Sequence, residues 1–370
     1  MVLALVLAGC PKPGDGVDPK VRADGHYLSG QAAYLKGDFA EAHKQFAEVR
    51  ALNPTDPRLP AAEGEVYLAE VKLDEALKSF EDAIKLEPKR ATTWSRIGFI
   101  HSLKGRPAEA KDALQKALAL NPRDFNALES IAEMDLKEKN LDEAVKHFLA
   151  ASQAAPDQAR APLVMRAVEE LTKAGRAAEA LKLLEESVKK GVKSPEMYGE
   201  LGDRLVAAAR LPEAVLAYTE AAKANPSDPA LWELVGELQM KLDKPGDAEA
   251  AFRESLRVKD RGVVHASLAR ICQARKDLTC LKSELDQALT KASGEEPREL
   301  IDIADLLSSV GRKADALALL KGLADEEDQA GDSALQLKLA RFAKDANDKA
   351  TMKAACDRVL ATDAGVKKCP

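Results

Sequence analysis

The chain is expected to be an all-α solenoid of about nine to ten helix–turn–helix units stacked in sequence order. Three observations predict it. Pro54, Pro88, Pro122 and Pro156 stand 34 residues apart in three successive intervals. Small and aromatic residues keep the same step: Gly30, Gly64 and Gly98 precede the prolines by 24 residues, Ala42, Ala76, Ala110 and Ala144 by 12, and Phe46, Phe80 and Phe148 by eight. The composition suits helices, with 4% aromatic and 31% charged residues, and no stretch alternates like a strand between hairpin turns. A chain of 370 residues would ordinarily suggest two or three globular domains. Solenoids grow by stacking, so one elongated domain is the expectation.

Each unit is read as two short helices that cross closely. Glycine or alanine at the eighth position and alanine at the twentieth let the backbones approach, and larger neighbours interlock around them. In order along the chain, well-formed units are expected at about 23–56, 57–90, 91–124, 125–158, 161–194, 195–228 and 229–262, with two extra residues before the fifth. Gly37 supplies the turn in the first unit and Gly105 that in the third. Tyr67 and Phe80 fill the second unit, Trp94 and Leu114 the third. Each proline ends a second helix, because the residue before it avoids the helical region and proline donates no hydrogen bond. Degenerate units follow at about 263–296 and 297–330, where Gly311 and Ala316 hold the turn and packing positions. A last helical pair fills 333–366, so 263–366 is a degenerate stretch with its cap, and 367–370 is a tail.

The third unit reads Trp94, Ile97, Gly98, Gly105, Ala110, Ala117, Pro122; the sixth reads Tyr198, Leu201, Gly202, Ala214, Tyr218, Ala221, Pro226; the seventh reads Trp232, Gly236, Ala248, Phe252. These residues resemble the tetratricopeptide repeat, with its aromatic at position 4, Leu-Gly at 7 and 8, Tyr at 11, Ala at 20, Phe at 24 and Pro at 32. The resemblance covers roughly nine-tenths of the chain, strongly through Asp260 and weakly after it. It implies a right-handed superhelical solenoid whose function lies on a surface.

The amino terminus carries a second signal. Residues 2–8 are apolar, too few to span a bilayer as a helix but similar to the hydrophobic region of a secretory signal. Leu7-Ala8-Gly9-Cys10 resembles the bacterial lipobox, which implies a lipoprotein signal at 1–9 and a lipidated Cys10. No Lys or Arg precedes the apolar run, as a start placed a few residues late or a weak signal would leave it. Residues 10–22 begin rich in Pro, Gly and charge, the composition of a flexible membrane tether. Lys12, not aspartate, holds the second place after Cys10, which by resemblance to lipoprotein sorting favours the outer membrane, facing the periplasm. Four further cysteines fit that compartment. Cys272 and Cys280 flank a turn near Lys276-Asp277, while Cys356 lies on the last helix and Cys369 on the tail behind it. Four cysteines allow three pairings, of which local pairing within each couple is the simplest; buried unpaired thiols are one alternative, and a metal site, with His265 the only histidine nearby in sequence and no Cys-x-x-Cys, is a weaker one.

No catalytic constellation is legible, and the chain is expected not to be an enzyme. His26, His43, His101, His147 and His265 are scattered, with no metal-ligand spacing, no nucleophile elbow and no phosphate-binding loop; no cofactor is expected. Ser187-x-x-Lys190 matches an acylase spacing without its companion motifs and reads as a solvated helix end. A net charge of −6 offers no broad basic face, so nucleic acid is not an expected partner.

The resemblance instead places binding on the first helices, at positions 2, 5, 9 and 12. Those positions supply Glu129, Glu133, Glu169, Glu196, Asp203, Glu233 and Glu237, and an aromatic section of Tyr27, Tyr34 and Phe99. Arg166, Lys173 and Lys241 intrude beside them. The family's paired lysine and asparagine clamp for a terminal carboxylate is absent, since positions 5 and 9 hold Tyr27, Ala61, Ser95, Glu129 and Gln31, Glu65, Phe99, Glu133 in the first four units. A basic or amphipathic protein segment is therefore the expected partner. The reading is a lipid-anchored interaction scaffold for an envelope assembly. Lipidated pilotins of secretins are similar in plan, and a regulatory module holding a peptide or small ligand is the other class.

Overall fold

The structure, a computed structural model, describes residues 18–326, 329, 332–362 and 369. The fold is all-α, with twenty helices in sequential pairs and no strand among the described residues. The chain divides into two compact units between Val192 and Lys193. In the first, the pairs are α1 (Pro19–Leu35) with α2 (Phe39–Leu52), α3 (Leu59–Ala69) with α4 (Leu73–Leu86), α5 (Ala91–Leu103) with α6 (Pro107–Leu120), α7 (Phe125–Lys137) with α8 (Leu141–Ala154), and α9 (Asp157–Lys173) with α10 (Ala177–Lys189). In the second they are α11 (Pro195–Ala207) with α12 (Leu211–Ala224), α13 (Pro229–Lys241) with α14 (Pro245–Val258), α15 (Gly262–Ala274) with α16 (Leu278–Thr290), α17 (Pro297–Ser309) with α18 (Lys313–Ala324), and α19 (Ser333–Asp345) with α20 (Lys349–Thr362).

Sequence dictates how the two helices of a pair meet. A Cβ built on Gly30 would fall 2.5 Å from Phe46, one on Gly64 2.9 Å from Phe80, and one on Gly236 2.6 Å from Phe252. The glycine is therefore the socket into which the ring of the second helix fits, and Phe46, Phe80 and Phe252 are at most 2% exposed. Ala42, Ala76, Ala110, Ala144, Ala214 and Ala248, at position 20, are fully buried where the backbones run closest. Between the helices, a residue with left-handed φ between 57° and 87° closes each of the ten turns. Gly37, Gly105, Gly175 and Gly311 do so in four; Val71, Lys139, Ala209, Asp243, Lys276 and Asn347 do so in the rest. The next amide then donates back to the carbonyl five residues earlier, as Lys72 does to Tyr67, completing the helix cap.

Three expectations need correction. The flexible tether was placed at 10–22, but α1 already begins at Pro19. The reason is local: Pro19 is set for a first helical position, and the Asp18 carboxylate caps the Lys20 amide at 2.8 Å. In the eighth pair the register shifts back one residue, to 262. Gly262 lies against the Ala288 carbonyl, 2.7 Å from where its Cβ would stand, and no other residue could start the helix there without displacing that backbone. Ser187 is buried, 5% exposed, on the packed face of α10, so it is not a solvated helix end.

The stretch where the repeat signature fades is well packed. α15 to α20 share a cluster that includes Leu285, Leu307, Leu320 and Leu339, with leucine taking the place of the aromatic rings. Cys272 of α15 and Cys280 of α16 are joined through their sulfurs with Cα atoms 5.7 Å apart, and Cys356 of α20 joins Cys369 at the same Cα separation. Cys10 and the segment 1–17 lie outside the described residues, as do 363–368 and 370. No helix among the described residues is long and apolar enough to cross a membrane.

Candidate protein-binding groove

In the first unit the first helices of successive pairs pack side by side, α1 on α3 and α5 on α7. Two cavities open along them. One, of about 140 Å³, is lined by Tyr27 and Tyr34 of α1, Glu65 of α3 and Arg96 of α5, with Phe46 and Phe80 at its base. The other, of about 350 Å³, lies between α5 and α7 and is lined by Ser95, Phe99, Glu129, Ser130, Glu133 and Lys137, among others. Arg96 borders both.

The aromatic section is held by its neighbours. The Arg58 guanidinium sits 4.5 Å from the centre of the Tyr27 ring, and Arg58 is itself fixed by Asp56 and Asp24. Tyr27 packs on Phe46, and its hydroxyl accepts from Gln31 at 3.2 Å. Tyr34 packs on Phe39. Burial raises the pKa of both tyrosines, so they remain neutral hydroxyls. Phe99 keeps 37% of its surface exposed in the larger cavity.

The carboxylates divide into two kinds. Glu133 is held by Arg166 at 2.9 Å, and the same guanidinium bonds Glu170 at 2.6 Å and Glu169 at 3.2 Å. Lys173 also reaches Glu169 at 2.7 Å and, with Arg166, holds its carboxyl below the usual range. Glu129 has no ion pair or hydrogen bond among the described residues. Desolvation by its surroundings raises its pKa, the charge of Glu133 raises it further, and Arg96 offsets part of this, although the residue as a whole is exposed.

In the second unit, Asp203 accepts a hydrogen bond from the Tyr218 hydroxyl at 2.5 Å; burial and this contact push the tyrosine pKa up. Glu233 is not a free surface carboxylate. It is half-buried against Ser255 at 3.1 Å and Arg261 at 2.9 Å, and burial lifts its pKa in spite of the arginine. Glu196 and Glu237 are exposed, with no ion pair or hydrogen bond among the described residues. The reading from sequence missed Arg58, Arg96 and Arg261 as partners of these positions. A signal for them exists. Arg58 and Asp24 are 34 residues apart, Arg261 and Glu295 34, Arg166 and Glu133 33, and Arg96 and Glu65 31, about one repeat in each case.

Family comparison agrees with this geometry. The tetratricopeptide repeat model matches residues 23–56 and 91–124, and a second tetratricopeptide repeat model matches 200–262. The chain carries tetratricopeptide repeats. Its repeat region is similar to small glutamine-rich tetratricopeptide repeat-containing protein 2 of Saccharomyces cerevisiae, 26% identical over 36% of this chain and 40% of that protein. It is also similar to the mitochondrial import receptor subunit TOM70 of the same yeast, at 29% over 31% of this chain and 20% of the receptor. The Hsp70-Hsp90 organizing protein of Triticum aestivum is 33% identical over 27% of this chain and 17% of its own length. The chain thus spans less than half the length of each of these relatives. Repeats of this kind act in protein–protein interaction, and the cavities along α1, α3, α5 and α7 present a surface for it.

Proposed function

We propose that the chain is a lipid-anchored scaffold of the bacterial outer membrane, facing the periplasm, that captures a basic or amphipathic segment of a protein partner along α1, α3, α5 and α7. The observation that carries the binding part is the pair of adjoining cavities, with Tyr27, Tyr34 and Phe99 as apolar surface and Glu129 as a carboxylate with no ion pair or hydrogen bond among the described residues. Receptor and organizing proteins among the similar proteins support a role in holding other proteins. The anchor rests on Leu7-Ala8-Gly9-Cys10. Two cysteine couples, each joined through its sulfurs, suit an oxidising compartment, where disulfides persist.

Fractionation with affinity purification tests both parts. The wild type is expected in detergent-solubilised envelopes with a lipid mass on Cys10, and Cys10→Ala is expected to lose that mass and leave the membrane, since stable anchoring requires more than one acyl chain. A protein recovered with the wild type should be lost from a Tyr34→Ala/Phe99→Ala variant; recovery of secretin subunits would select the pilotin-like form. Wholly soluble wild type with unmodified Cys10 refutes the anchor. Capture indifferent to the double variant refutes the groove.

A further inference from the structure

Most charges along the first unit's groove are already spoken for. Arg96 is bonded to Glu65 at 2.7 Å, and Glu133 to Arg166. Two such pairs leave little net field of their own. Two charges in the larger cavity stand outside them. Glu129 has no donor among the described residues, although the charge of Arg96 across the cavity acts on it against that of Glu133, and the Lys137 ammonium has only the Ser102 hydroxyl, at 3.3 Å. Eight residues separate them on α7, about 12 Å along the helix, so the cavity is negative at one end and positive at the other. Phe99 stands on the facing helix. Ser130, next to Glu129 on α7 and only 8% exposed, lines the same cavity, and its hydroxyl has no partner among the described residues. A volume of about 350 Å³ is many times the ~30 Å³ share of one water, so it has room for a side chain.

We propose that this cavity is a socket for one lysine or arginine side chain of the captured segment, its cation on Glu129, its aliphatic stem along Phe99 and one of its N–H groups donated to Ser130. The proposal rests on the groove reading above and names what that groove selects. A long basic side chain suits such a site because its methylenes cover apolar surface while its head pairs. The Phe99 ring face adds attraction for the cation when it lies within about 6 Å. Glu133 contributes negative potential without being free to pair. The raised pKa of Glu129 gives the sign of the pH effect: with the cation bound, the carboxylate form is favoured, so binding weakens as acidification protonates Glu129.

The test uses the full chain and linear random peptides displayed on phage, followed by synthetic capped peptides measured by fluorescence anisotropy. Selected sequences should share one Lys or Arg beside an apolar residue. Replacing that lysine by uncharged norleucine should weaken binding about fivefold or more in the wild type. In Glu129→Gln, whose fold is checked by circular dichroism, the lysine and norleucine peptides should bind alike, and the acid-side loss of affinity should disappear. Peptides that need Tyr34 and Phe99 yet ignore both the norleucine change and Glu129→Gln would overturn the socket and leave the groove reading standing. A shared acidic residue, lost on Lys137→Met, would also overturn it. Failure to select any peptide, or selection of peptides indifferent to Tyr34→Ala/Phe99→Ala, would overturn both.

Discussion

The turn inside each helical pair asks most of a single residue. Left-handed backbone suits glycine, yet Val71 holds φ 61° with a β-branched side chain that is 73% exposed and packs on little. Such a conformation costs roughly 1–3 kcal/mol for a residue other than glycine, against about 0.5–1 kcal/mol of extra chain entropy for glycine. Val71→Gly is therefore expected to raise stability by about 1 kcal/mol in urea unfolding. Gly236→Ala is the opposite case, because its new methyl would lie 2.6 Å from Phe252. It is expected to lower stability by about 1–3 kcal/mol. If the two substitutions shift the midpoint in the same direction, the account of turn and socket is wrong.

Between neighbouring pairs, ion pairs one repeat apart join the first helices. The fullest example is Arg261 at the start of α15, which bonds Glu233 of α13 at 2.9 Å, Glu295 at 2.6 Å and Glu299 of α17 at 2.8 Å. Glu295 is almost wholly buried, with 4% of its side chain exposed, so removing the guanidinium leaves three carboxylates together without the cation they share. Arg261→Ala is expected to cost about 3 kcal/mol, toward the lower end for broken buried pairs. Glu233→Gln should be near neutral, since burial already disfavours its charge and two carboxylates remain on Arg261. Equal losses in the two variants, by denaturant unfolding, would contradict this. The elements were legible because the 34-residue step fixes both helices and the Gly–Phe contact that crosses them. The turns at Val71, Lys139 and Ala209 were not, since the crossing imposes a backbone that these residues do not advertise. The candidate site was legible in position but not in charge state. Which carboxylates are free depends on arginines a full repeat away, and their reach is set by packing.

In each of the molecule's two units, helices pack chiefly on their own pair and the adjoining one, so the stability of a unit is a sum of pair and interface terms. The two cysteine couples act on that sum in the second unit. Peptide mapping without reductant is expected to find Cys272 joined to Cys280 and Cys356 to Cys369, and mild reduction should lower protection from hydrogen exchange in α16 and α20 but not in α1 to α4. Each closure restrains a short loop by about 2–3 kcal/mol in the entropic account. Free thiols in protein purified from the periplasm would contradict it. α1 has no such clasp among the described residues, and Val21, Leu28 and Leu35, seven residues apart along it, remain 59%, 65% and 82% exposed. In the first unit, fraying should therefore begin at α1, the helix that carries Tyr27 and Tyr34. A partner seated on those rings would act as a splint: part of its binding energy would be spent holding α1 shut, and occupancy would be read as a slower opening of the first pair before any change elsewhere in that unit.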